Sequence, residues 1–325
     1  MVNVTPEVLD KLCDAYQIKA SDLTFIGGGR EDSDGIAYSY YSNGIKKVLK
    51  ILSADKPADQ VLQEHNERLR FIHFLGTQGI AISYPTENAA KHLYETCETE
   101  KNIYIAYSMD FIEGKSPETK LLTSELSHQW GKIIGKAHRI TKNYGIWKNI
   151  SVKPSEYGYI DEINFFISWC KNEFVKEKFR EMRKTLDNLP IDRTCYGFIH
   201  NDNHQHNIIV KDQRITLIDF DVASCNFFLQ DITVPVQGIL FDLSGGMFNK
   251  VYDSEPIKKY FDRFISGYET ENHIDDFWLK QIDTFINYRR MLIFTCMQGY
   301  LSSNKQLEES FLSMIGEAPG IYRML

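Results

Sequence analysis

The chain has 325 residues, enough for two domains or one large one, and its 43% hydrophobic and 25% charged residues give ample material for a core. A net charge of −7 argues against a general nucleic-acid binder, which needs basic patches against phosphates, and leans toward a neutral or cationic small substrate. No run approaches the roughly 18 apolar residues of a membrane helix, and "MVNVTPEVLD" shows no signal peptide, so a cytoplasmic protein without membrane or nucleic-acid partners is expected, as monomer or homodimer.

In chain order, Thr5 caps and Pro6 opens a short amphipathic helix with Val8, Leu9, Leu12 and Tyr16 at helical spacing. Leu23–Ile26, Ile36–Ser42 and Lys46–Leu52 are three β-branched and aromatic runs separated by Gly-containing turns, an antiparallel meander. A helix follows from about residue 58, with apolar residues at 61, 62, 69, 72 and 75 and Gly76 expected to end it. "NIYIAYSMDFI" is a further strand, and "EGKSP" after it is the expected domain boundary. A strand-rich N-terminal lobe, 1–110, and a larger helical C-terminal lobe, 111–325, are expected. In the second, "LLTSELSHQWGKIIGKAHRIT" places Leu122, Leu126, Trp130, Ile133 and Ala137 on one helix face. "IDEINFFISWCKNEFVKEKFREM" reads as another helix, and helical patterns return at 256–268 and 275–301. One β-hairpin, "NIIVKDQRITLIDF", stands among these helices. The cysteines Cys13, Cys97, Cys170, Cys195, Cys225 and Cys296 show no metal or redox spacing.

The hairpin carries the chemistry. Counting from a turn centred on residue 213, Asn207 and Asp219 are equidistant and should face one another at the open end. Asp202 lies on the loop leading in. Two carboxylates and a carboxamide suit Mg2+ and phosphates, with Asp202 to orient an attacking hydroxyl and Asn207 with Asp219 as metal ligands. Lys50, inside the apolar strand "KKVLKIL", must find an acidic partner or reach solvent, and Glu67 is preferred to Glu64 as that partner.

"HNDNHQHN" followed by "LIDFD", with Lys50 upstream, resembles the aminoglycoside phosphotransferase and choline kinase-like family. That family's loop reads His-Gly-Asp-Leu-His-x-Gly-Asn. His200, Asp202, His204 and Asn207 match it, whereas Asn201, Asn203 and His206 depart. "GGGREDSDGIAYSY" looks like its Gly-rich hairpin, "IIGKAHRI" like one of its helices with His138 at that helix's histidine, and "DFDVASCNFFLQDI" like its metal-binding segment with Asp231 beyond. The resemblance implies an α+β, bilobal protein kinase-like fold. It implies transfer of the γ-phosphoryl group of ATP or GTP, with Mg2+, to a hydroxyl of a small molecule such as an aminoglycoside, amino sugar or amino alcohol. Asp202 would be catalytic. Lys50, Glu67, Gly28, Gly29, Ser108 and Met109 would bind nucleotide, the last two through backbone groups near the connector. His138, His200, His204 and Asp231 would brace the structure, and the parts of Asp221 and His206 stay open. Asp161 and Glu162 are candidates for a cationic-substrate cleft or simply a solvated helix start.

Other classes compete. A protein serine/threonine kinase shares the fold. A metal-dependent hydrolase would use His200, Asp202, His204 and His206 on one extended face, but leaves Lys50, Asn207 and Asp219 without a purpose. A silent binding module would not need the full set.

Overall fold

Thr5 caps the first helix, α1 (Pro6–Ala15), as its spacing requires: the Thr5 hydroxyl accepts from the Val8 amide at 3.5 Å. The computed structural model of the chain describes residues 4–29, 35–144, 158–243, 254–318 and 320–324. It divides into two compact units, one of residues 1–114 with 216–221, the other of 115–215 with 222–325. Among the described residues no helix is long and apolar enough to cross a membrane.

The first unit is an antiparallel sheet with α1 and one longer helix. Strands β1 (Thr24–Gly28), β2 (Gly35–Ser42) and β3 (Ile45–Asp55) form the expected meander. With β4 (Glu95–Glu98) and β5 (Asn102–Asp110) they make a sheet of order β1-β2-β3-β5-β4. One face carries Tyr40, Leu49, Ile51, Tyr104 and Ala106, buried against Val8, Leu12 and Cys13 of α1. The longer helix, α2 (Asp59–Thr77), buries Leu69, Phe71, Ile72 and Leu75. It runs past Gly76, where a Cβ would collide with the ring of Tyr84, so this glycine serves packing and does not end the helix. Leu217 joins this unit through the backbone: its amide donates to Ala81 and its carbonyl accepts from Ser83, at 2.9 and 2.8 Å.

The second unit is mainly helical. Helices α3 (Ser124–Thr141) and α7 (Ser254–Tyr268) touch backbone to backbone. A Cβ at Gly131 would run into the Phe264 carbonyl, and one at Gly267 into that of His128. The buried stripe of α3 is Leu126, Ser127, Trp130, Gly131, Ile134, Gly135 and His138. It thus takes in Ile134 and the glycines in place of Ile133 and Ala137, because close approach selects small residues. The run expected as one helix after residue 159 is two, α4 (Tyr159–Trp169) and α5 (Glu173–Asp187), and the Asn172 side chain caps the second from 3.2 Å. Two short paired strands, β6 (Tyr196–Ile199) and β9 (Ser224–Phe227), flank the hairpin of β7 (Ile208–Lys211) and β8 (Arg214–Leu217). Beyond lie the buried α6 (Phe228–Leu243), a short α8 (Asp276–Leu279) and α9 (Ile282–Ser302), the last two splitting the helical pattern at 275–301. Short helices α10 (Lys305–Leu312) and α11 (Ile321–Met324) follow.

The α3–α7 contact gives a test by matched substitutions. Gly131→Ala must push two helix backbones apart and is expected to cost about 1–3 kcal/mol. Gly299→Ala in α9 meets nothing within 4 Å, and is expected to be neutral or stabilising by up to about 1 kcal/mol. Urea unfolding of the two variants measures both.

Candidate active site

Lys50 in β3 lies opposite Ala37 and Tyr107. Its ammonium pairs with Asp219 Oδ1 at 2.9 Å and, more closely, with Asp221. The Tyr107 hydroxyl donates to Asp221 at 3.0 Å. Burial works against the charge on Lys50, but the oxygens of Tyr107, Asp221 and Asp219 outweigh it and push its pKa well up. Burial likewise raises Asp221, and Lys50, Tyr107 and Arg68 overcome that to hold it below the usual carboxylate range. The expected pairing of Lys50 with Glu67, or with Glu64, is therefore not formed. Glu64 accepts instead from Gln60 at 2.9 Å. The two aspartates after β8 reach the ammonium first, and Asp221 takes the role sequence reasoning left open.

Gly28 and Gly29 have φ of +86° and +74°, and a Cβ at Gly28 would strike the Gly35 carbonyl. The tight β1–β2 approach thus needs glycine at 28. The turn beyond, 30–34, lies outside the described residues. Ser108 and Met109 are strand residues and not part of a connector. Ser108 Oγ lies 2.6 Å from the Tyr40 hydroxyl, and its carbonyl accepts from the Thr86 amide at 2.8 Å. Met109 is in register with Val48. The Ser108 carbonyl is thus engaged by Thr86 within the first unit.

In the second unit, Asp231 of α6 organises the loop 200–207. Its carboxylate, fully buried, accepts from the amides of His200 and Asn201 at 2.8 and 2.7 Å. His138 Nε2 lies 3.2 Å from the same carboxylate, and its other nitrogen lies 2.9 Å from the Tyr268 hydroxyl. Burial depresses the His138 pKa against the pull of Asp231. Asn203 links Trp130 Nε1 at 2.7 Å to the Asp231 carbonyl at 3.3 Å. Asn201 has φ +68°, a left-handed position that asparagine tolerates better than most residues. It stands where the resembling loop has its first glycine. His206 carries no such φ, so that position needs no glycine; its side chain is exposed.

Asp202 projects from this loop. Asn207 Nδ2 donates to its carbonyl at 2.9 Å and to its carboxylate at 3.2 Å. His204 Nε2 is 3.5 Å away, and the Arg289 guanidinium of α9 bonds Oδ1 directly. Burial would raise the Asp202 pKa, but Arg289, then His204 and His200, hold it well below the usual carboxylate range. Asp202 is therefore ionised at neutral pH. Glu162 of α4 accepts from Tyr288 on one oxygen and Asn201 on the other. Burial pushes its carboxyl up, against those two hydrogen bonds and the charge of Arg289.

Sequence reasoning missed Arg289 and Tyr288. Both sit inside an apolar helix more than eighty residues from the loop, where nothing local marks them. The hairpin turn is Asp212-Gln213, with φ +49° and +59°, a two-residue loop. Its centre lies half a residue before 213, so the equal-distance count does not put Asn207 opposite Asp219. Among the described residues no three His, Cys, Asp or Glu side chains are placed to hold a metal together. The four-ligand arrangement of the hydrolase reading is not formed: the His200 amide turns to Asp231 and His206 faces outward.

A loop that fixes one ionised aspartate, with a lysine held by paired aspartates, is the equipment of a phosphotransferase. The family model described as "Phosphotransferase enzyme family" matches residues 23–251, well over half of the chain, and the chain belongs to that family. It is 22% identical over 306 residues to amicoumacin kinase of Bacillus subtilis (strain 168), covering 93% of this chain and 88% of that protein. A solved amicoumacin kinase in complex with AMP-PNP and Ca2+ has a TM-score of 0.80 at 21% identity, over 95% of this chain and 92% of that one. A microcompartment-associated aminopropanol kinase follows at 0.66 and 14%, covering 98% and 97%. A spectinomycin phosphotransferase in complex with ADP and spectinomycin gives 0.54 and 19%, covering 98% and 96%. The fold is thus α+β and protein kinase-like, as the loop motif implied.

Two stability tests follow from the first unit. The Asp221 side chain is 18% exposed and that of Asp219 46%. Asp221→Ala is expected to cost about 3 kcal/mol, as for breaking a buried pair, and Asp219→Ala about 1 or less, as for an exposed one; chemical denaturation reads both. His65 is depressed from 6.5 to about 4 by burial and by Arg68. The unfolded chain binds the extra proton between those values, so stability falls as pH drops from about 6.5 toward 4. His65→Gln is expected to flatten that part of the profile in thermal melts.

Proposed function

We propose that the chain transfers the γ-phosphoryl group of ATP, with a divalent metal, to a hydroxyl of a small molecule. The observation that carries this is Asp202: one carboxylate, ionised, braced by Asn207 and fixed by a loop that Asp231 anchors. In this reading Asp202 orients the attacking hydroxyl and accepts its proton as the phosphoryl group moves. Lys50, kept charged, holds nucleotide phosphates, and the Gly28–Gly29 backbone lies over them. The solved amicoumacin kinase with AMP-PNP supports ATP as donor.

The donor set suits Mg2+. Asn207 spends its Nδ2 on Asp202, which leaves the carboxamide oxygen for a cation. Asp219 gives Oδ1 to Lys50 and keeps its second oxygen. Both are the hard oxygen ligands that Mg2+ prefers, and each is proposed as a ligand from its own unit. A bound divalent ion would neutralise charge on the phosphates during transfer. An enzyme of this kind works where ATP is supplied, in the cytoplasm.

The relatives by their names act on amicoumacin, aminopropanol and spectinomycin, which supports a small acceptor over a protein. The net charge of −7 supports an acceptor with a cationic part such as an amino alcohol or amino sugar. That attraction acts on encounter with the whole chain and not at Asp202, beside which a guanidinium sits.

Asp202→Ala is expected to lower turnover at least a hundredfold while MgATP still raises the melting temperature as in the parent protein. ADP release against a panel of amino alcohols and aminoglycosides reads the first, and thermal shift the second. Loss of nucleotide binding in step with turnover would contradict Asp202 as the residue that orients and deprotonates the acceptor hydroxyl.

A further inference from the structure

Arg289 is the feature that the proposed reaction does not account for. Its guanidinium bonds Asp202 Oδ1, and this is its hydrogen bond among the described residues. Arginine carries five N–H donors in a planar fork, so most of that fork remains open. The side chain is 17% exposed and so is not closed off from solvent. The carboxylates beside it have their oxygens engaged. Asp202 gives its other oxygen to Asn207 and His204. Glu162 has both oxygens occupied by Tyr288 and Asn201.

An acceptor hydroxyl on Asp202 therefore lies next to an open guanidinium edge. An ammonium held against that edge would meet the like charge of the guanidinium. A carbonyl oxygen would meet matched donors, in the fork geometry that suits carboxylates. We infer, on the basis of the kinase reading above, that Arg289 recognises the acceptor through a carboxylate or amide carbonyl close to the hydroxyl that is phosphorylated. Ordinary hydrogen-bond lengths to Asp202 and Arg289 put those two acceptor oxygens about 3–5 Å apart, a separation of two or three carbons. The acceptor class is a hydroxy acid or hydroxy amide, with any amine turned away from the guanidinium. Arg289 is then a specificity-determining residue that also holds Asp202 in place.

L-Serine, L-serinamide and ethanolamine test this. They share an amine and a primary hydroxyl and differ only in carboxylate, carboxamide or neither. ADP release with MgATP is measured for each, in the parent protein, Arg289→Gln and Arg289→Lys, with thermal melts to confirm folding. The expected result is a kcat/KM for serine or serinamide at least tenfold above that for ethanolamine. Arg289→Gln should shrink that ratio at least tenfold, mainly through KM, and Arg289→Lys should keep more of it for serine than for serinamide. Preference for serine over serinamide marks a carboxylate acceptor, and the reverse an amide.

Equal or better use of ethanolamine overturns the inference. So does an equal fall in kcat for all three compounds in Arg289→Gln, which would place the guanidinium on the phosphoryl group instead. Turnover of none of the three while MgATP still binds overturns it too. Absence of any MgATP thermal shift would instead remove the kinase reading on which it rests.

Discussion

Asp231 is almost wholly buried, and a buried carboxylate is costly unless its oxygens are fully engaged. It meets that demand with two backbone amides of the loop and with His138. Those bonds hold His200 and Asn201 in a turn that an unanchored chain would leave. The left-handed Asn201 then points the next residue, Asp202, away from the core. The glycine contacts of α3 and α7 serve the same end, since α3 supplies His138 and Trp130 and α7 supplies Tyr268 to brace this carboxylate and its neighbour Asn203. Packing, hydrogen bonding and the direction of one side chain form a single chain of causes.

A second charge problem is solved in the strand-rich unit. Lys50 sits in the middle of β3, where an unpaired ammonium would lose its proton or destabilise the sheet. Asp219 and Asp221 arrive with the segment 216–221, which joins that unit although it is far away in sequence. The lysine thus keeps its charge without depending on the helix beside it. Partial exposure of Asp219 leaves one carboxylate oxygen available, whereas Asp221 is committed to Lys50 and Tyr107.

Much of this was legible in the sequence. Alternation marked the meander, Thr5 and Pro6 marked the first helix, and the spacing of His200, Asp202 and Asn207 marked the loop. Short strands such as β6 and β9 carry too few residues for a periodic signal. The split between α4 and α5 was hidden because apolar spacing continues across it, though Asn172 was a readable cap. Long-range partners were the harder loss. Lys50 was assigned Glu67 of the following helix, but carboxylates about 170 positions later reach it in space. Arg289 lies in a hydrophobic helix whose pattern says only that it is buried, and its target is fixed by tertiary structure alone. The hairpin count erred because the turn has two residues, not the three that a centre on residue 213 assumes.

In the proposed reaction, phosphate passes from nucleotide to an alcohol oxygen oriented by Asp202. Phosphorus-31 NMR of a mixture of the protein, MgATP and the amino alcohol, hydroxy acid and hydroxy amide acceptors reads this transfer at the product. The expected result is ADP together with a phosphomonoester resonance coupled to the protons of the acceptor carbon, absent when Asp202 is replaced by alanine. ADP with inorganic phosphate as the sole other product, or a phosphomonoester that persists in Asp202→Ala, would contradict it.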